Sequence, residues 1–223
     1  MPYTQMTSCT DLYLLYAFIR RFLTFLGYTT IMQPAPTLRF ESFSDGVFAI
    51  AVTLLALELR VPFIHGATYR ASFQGLVPLI PSLLTFVLSF IAIAIFWVNH
   101  HQLTQNIATI NKRRILWLNV LLLLFITLIP FVTETMSTNA PSALAVSMYA
   151  FVLFGASLSF SFLHYWIHKG TGRGKVPMKR SVVGPIIYFL AILAPALSIP
   201  LAYSLLLIPP LFYFLPKSAT VSL

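Results

Sequence analysis

Apolar residues in this chain run in long blocks broken by short polar linkers. About 20 apolar residues in a helix span the hydrocarbon core of a bilayer. Six blocks are read as such helices, at 39–61, 72–98, 115–133, 142–167, 181–199 and 201–216. The sixth is short and carries Pro209 and Pro210, so a kink is expected there; blocks five and six also fit a single re-entrant hairpin. Within the first block, Phe43, Val47, Ile50, Leu54 and Leu57 recur at helical spacing and form one stripe, bordered by Thr53. Gly46, Ala49, Ala51 and Ala56 supply small faces for close helix packing. Periodicity leaves the role of the apolar stripe open between a lipid- or core-facing surface and a constriction that controls wetting.

Residues 1–37 break the pattern. Leu12 to Met32 is apolar and aromatic, but Arg20 and Arg21 sit in its middle. Two arginines at mid-depth are costly, and a signal peptide carries its positive charge ahead of the apolar core. Two readings stay open, an interfacial helix with its arginines among the headgroups or an upstream extension with the working protein starting near Met32. Pro34 and Pro36 separate this segment from the rest in either case. The domain organisation expected is therefore an N-terminal extension at 1–37 and a six-helix domain at 38–223, without internal repeat.

Composition turns the pattern into an exclusion. Hydrophobic types make up 58% of the 223 residues and charged types 9%, against about a quarter charged in a soluble domain. That balance excludes a soluble enzyme, a disordered chain and a nucleic-acid binder, and points to an integral membrane protein. The net charge of +9 reads as topology: with both termini on one side, that side holds every one of the 14 Lys/Arg except Arg60 and Arg70. The positive-inside bias then places both ends in the cytoplasm. One cysteine, Cys9, rules out a disulfide framework and a cysteine-based zinc site.

The acids carry the unusual chemistry. Three of the five, Glu41, Asp45 and Glu58, lie in the first block. Glu41 is close enough to the helix start to act as a cap or surface group. Asp45 lies deeper, where an unpaired carboxylate is expensive, so it needs a partner in Arg39 or in another span. Glu58 either concentrates cations at a pore mouth or pairs with Arg60 as a solvated helix end. His164 and His168, spaced i, i+4, suit a metal on one helix face, but no nearby carboxylate or cysteine completes a shell, so no metal is expected. His100 and His101 suit either a proton shuttle or a structural hydrogen bond. No Ser/His/Asp set and no phosphate loop appear, and no enzyme activity is expected.

The element Arg39, Phe43-Ser44-Asp45-Gly46, then Ala49-Ile50-Ala51-Val52-Thr53-Leu54-Leu55, closing on Leu57-Glu58, resembles the first-helix signature of the Transmembrane Protein 175 family, non-classical potassium channels of prokaryotes and lysosomes. Trp97-Val98-Asn99-His100-His101 is similar to the family's Trp/His element, and Leu116-Trp117-Leu118-Asn119 with the Leu run to Pro130 resembles its third helix. The resemblance covers roughly Leu38 to the C-terminus. It implies an all-α integral membrane protein, a homotetramer of six-helix subunits with the first helix of each lining a central pore. It implies a narrowest ring at Ile50, further apolar rings at Leu54 and Leu57, and a hydroxyl layer at Thr53. Arg39, Ser44, Asp45, Trp97, Asn99 and His100 would form a structural polar network. The function implied is passive, modestly potassium-selective conduction, with potassium as the permeant ion, no cofactor, and only itself and the bilayer as partners. A prokaryotic plasma membrane is the expected location. Thr-Val-Gly-Tyr-Gly, whose carbonyls replace hydration water in other potassium filters, is absent from the sequence. The rival class is a secondary transporter or proton/cation carrier, which usually shows inverted repeats and interrupted helices.

Overall fold

Lipid offers the backbone no hydrogen bonds, so a chain this apolar satisfies its peptide groups within helices. The computed structural model describes residues 35–59, 76–77, 79–104, 113–139, 141–171 and 178–214, and no strand occurs among them. Among the described residues six α-helices are laid out in order: α1 Ala35–Leu57, α2 Leu79–Thr104, α3 Arg113–Thr138, α4 Ala143–Thr171, α5 Met178–Leu193 and α6 Ile199–Phe214, with a 3-10 turn at Ala194–Ala196 before α6. From Pro36 onward they fall in one compact unit, Pro36–Leu223. The two readings of the N-terminal segment concern residues that, up to 34, lie outside the described ones.

Helix ends follow their local chemistry. Pro36 stands in the first turn of α1, where its missing N–H would have had no intrahelical acceptor. The helix closes with tightened bonds, Glu58 N–H to Leu55 O and Leu59 N–H to Ala56 O, both 3.3 Å. Asn139 ends α3 by donating from both its backbone and its side-chain amide to Thr135 O. Three residues later the chain turns back into α4, the Ser142 N–H bonding Asn139 O at 2.7 Å.

Four helices, α1 to α4, are long and apolar enough to cross a membrane, and α5 and α6 are shorter apolar helices. At 1.5 Å per residue a 16-residue helix rises only about 24 Å, less than the roughly 30 Å hydrocarbon core. The fifth block, read as continuous to residue 199, breaks instead at Leu193, where Pro195 opens the 3-10 turn. Pro209 and Pro210 lie inside α6, near its end.

The core lies between α3 and α4. Leu122, Ile126, Ile129 and Met136 of α3 are buried against Val146, Tyr149, Leu153 and Leu163 of α4, and Ala202 and Leu206 of α6 close the other side. Polar groups in this core are paired in a defined sense. The Thr133 hydroxyl donates to Ile129 O at 2.7 Å, so it accepts from Ser89 at 2.8 Å. Ser89, its proton spent, accepts from the Tyr149 hydroxyl at 2.9 Å. One relay thus ties α2, α3 and α4 together without a stranded donor.

Candidate functional site

One narrow stripe fastens α1 to the bundle. Phe40, Ser44, Phe48, Ala51 and Leu55 are buried at helical spacing, and the remainder of the helix is largely open. Ser44 donates to Phe40 O at 2.9 Å and therefore accepts the Asn119 side-chain N–H at 3.0 Å. The Asn119 carbonyl accepts from His100 Nε2 at 2.8 Å, which places a proton on that nitrogen. The His100 ring stacks on Phe40 at 6.0 Å and leans on Phe48 at 5.6 Å. A buried relay of His100, Asn119 and Ser44 thus runs from α2 through α3 to α1, with the aromatic side chains of α1 packed on its histidine.

Asp45 sits beside this relay and uses a different partner. Trp97 Nε1 donates to Asp45 Oδ1 at 3.0 Å, and the indole stacks on His101 at 5.6 Å. Of the six residues expected in one network, Ser44 and His100 share the relay while Asp45 and Trp97 make a neighbouring pair. Asn99 departs from the expectation: its amide turns back to Ile95 O at 2.7 Å on its own helix, because it stands one residue round from His100 and faces away from α1. Arg39 is exposed. Asn119 is the member that sequence reasoning missed. Its signal was an amide alone in the apolar run of α3, a group that needs a partner in the core.

The stripe Phe43, Ile50, Leu54 and Leu57 lies about 100° round the helix from the buried one at 100° per residue. In the single chain these side chains are strongly exposed, Ile50 by 58% and Leu57 by 73%. Thr53 is exposed beside them, its hydroxyl donating to Ile50 O at 2.9 Å, so only oxygen lone pairs are left to face outward. Ser42, Gly46, Ala49 and Ala56, all exposed, form a small-residue face next to Thr53. Glu58 ends the helix, half-buried. α1 is unbroken from Ala35 to Leu57. Elsewhere, the rings of His164 and His168 lie 4.4 Å apart, and no group of three His, Cys, Asp or Glu is found among the described residues.

Comparison with known proteins places this helix in a family. Residues 39–130, spanning the α1 signature, the Trp/His element and most of α3, match the model of the endosomal/lysosomal potassium channel TMEM175. A potassium channel of Chryseobacterium sp. (strain P1-3) is 32% identical over 177 residues, 79% of this chain and 88% of that protein. The chain belongs to the TMEM175 family. A potassium channel of Chamaesiphon minutus is 37% identical over 142 residues, 62% of this chain and 68% of its own length. The crystal structure of a lysosomal potassium-selective channel TMEM175 homolog from Chamaesiphon minutus superposes with a TM-score of 0.71 at 32% identity, covering 81% of this chain and 97% of that one. With its apolar helices, family membership makes the chain an integral membrane protein of potassium-channel type.

Proposed function

We propose that this chain is one subunit of a homotetrameric channel that passes potassium down its gradient, with α1 of each subunit lining the pore. The observation that carries this reading is the stripe of Phe43, Ile50, Leu54 and Leu57, left open on a helix whose other side is anchored in the bundle. Four such stripes meeting on an axis stack apolar rings at Ile50, Leu54 and Leu57, with Ile50 the narrowest and Thr53 adding a hydroxyl layer. An ion crossing those rings loses hydration without carbonyls to replace it. Discrimination then rests on width and dehydration cost, and selectivity is modest. Glu58 stands at the outer mouth, where its field enriches cations. Both termini face the cytoplasm, as the basic linkers favour.

The purified protein reconstituted in liposomes tests this reading through flux under potassium, sodium and caesium gradients, with planar-bilayer recording alongside. Unitary current steps and potassium flux exceeding sodium flux are expected. Slow, saturable, gradient-coupled uptake without steps would sink the channel in favour of a carrier; the unbroken α1 supports the channel, because carriers usually bind substrate at interrupted helices.

A further inference from the structure

Where α3 begins and α4 ends, the bundle carries a basic, aromatic pocket that neither pore nor core accounts for. It measures about 680 Å³ and is lined by Arg113, Arg114, Trp117, Leu118, Leu121 and Trp166. The Arg114 guanidinium lies 5.1 Å from the centre of the Trp166 ring. Lys169 brings its ammonium to 5.1 Å from the same ring and 5.6 Å from that of Tyr165. Two cations held within reach of one indole repel each other, and Arg113 adds a third charge one residue away. Among the described residues no carboxylate pairs with any of the three, and no acidic residue stands in the first turn of α3.

We propose that this pocket binds the phosphodiester headgroup of an anionic phospholipid, in the leaflet bordering that end of the bundle. Stacking on an aromatic face fixes a guanidinium while its in-plane N–H donors stay free for phosphate oxygens. Arg114 is presented in that way, and Arg113 and Lys169 supply the remaining positive field. The apolar half of the pocket argues for a lipid over a soluble phosphate. Leu118 and Leu121 continue down α3 from the arginines, Leu121 lying about 12 Å along the axis from Arg113 at 1.5 Å per residue. A lipid's acyl chains would run along that surface. Trp117, 63% exposed, stands between the charged and apolar parts, at the level that tryptophan prefers in a bilayer. Basic pockets between membrane helices suit anionic headgroups on these physical grounds.

Native mass spectrometry of the delipidated full-length protein tests the assignment. The probes are phosphatidylglycerol, phosphatidylcholine with the same acyl chains, and glycerol phosphate. Phosphatidylglycerol is expected to bind at least tenfold tighter than phosphatidylcholine and to resist displacement by equimolar glycerol phosphate. Each basic side chain near an anionic lipid is worth about fivefold. R113Q/R114Q is therefore expected to weaken phosphatidylglycerol binding by about 25-fold, while R70Q, an equal change of charge per residue in the opposite linker, leaves it unchanged. Equal retention of the two lipids, or a double variant that binds like wild type, would overturn the proposal. Displacement by glycerol phosphate would reassign the pocket to a soluble phosphate and overturn the lipid. Should the double variant not assemble, the preference of the wild-type protein and its loss in high salt decide the matter alone.

Discussion

A single amide, Asn119, decides whether α1 has a fixed seat. Both ends of its side chain are spent: the carbonyl accepts from His100 and the N–H donates to Ser44. Ser44 gives its own proton to Phe40 O and accepts from Asn119, so the amide is the link between Ser44 and His100. Replacing Asn119 by Leu keeps the volume and leaves the His100 Nε2–H buried without an acceptor. A stranded buried donor costs about 1–3 kcal/mol. N119L is expected to lower the thermal midpoint in detergent and to reduce the yield of assembled protein, since α1 then loses its buried polar tie and keeps only its apolar contacts and the Asp45–Trp97 bond. A variant with wild-type midpoint and wild-type assembly would show that the relay contributes nothing to seating the helix.

At the scale of elements, α4 is the scaffold, packed along α3 on one side and α5 on the other. Close approach to α3 depends on Gly155, where an added Cβ would run into the ring of Phe125. Phe125 in turn packs edge-on against Phe151 at 6.4 Å. Overfilling such a contact costs about 1–3 kcal/mol, whereas Gly to Ala within a helix gains about 1 kcal/mol from propensity. G155A is therefore expected to destabilise the protein, and the same change in an F125A background to be neutral or stabilising. Additive effects in the four-variant cycle would refute the clash. How far these elements can be read without a structure depends on what positions them. The long helices were legible because an apolar block in lipid has no other way to satisfy its backbone. The division between the last two helices was read at residue 200, but the end of α5 at Leu193 was hidden, because the residues around Pro195 stay apolar and nothing in hydropathy marks the break. The seat of α1 was partly legible. Ser44, Asp45, Trp97 and His100 stand out as polar groups in apolar surroundings. The turning away of Asn99 and the arrival of Asn119 depend on rotation and register between three helices, which no single segment encodes.

For the whole molecule, on the proposed reading, the decisive quantity is the hydration of an ion where four copies of Ile50 would meet. A branched hydrocarbon ring gives a passing cation no oxygen, so the ion with the smaller dehydration cost is favoured, and potassium holds its water less tightly than sodium. Asn at position 50 would bring an amide carbonyl and an N–H into that ring from each subunit. The amides keep water in the constriction and solvate either cation, removing the penalty that separates them. I50N is therefore expected to conduct more sodium and to move the reversal potential under bi-ionic potassium/sodium conditions towards zero. A loss of about 1 kcal/mol in discrimination corresponds to about a fivefold fall in the permeability ratio. I50L keeps the ring apolar and is expected to retain most of the preference. The two variants separate chemistry from size, since Leu and Asn both change the side-chain shape but only Asn adds polar atoms. The fold should tolerate both, because Ile50 is 58% exposed in the single chain and makes no core contact that Asn would strand. A reversal potential unchanged in I50N, in a protein that still conducts, would remove Ile50 from the filter and shift attention along the same stripe to Leu54 and Leu57.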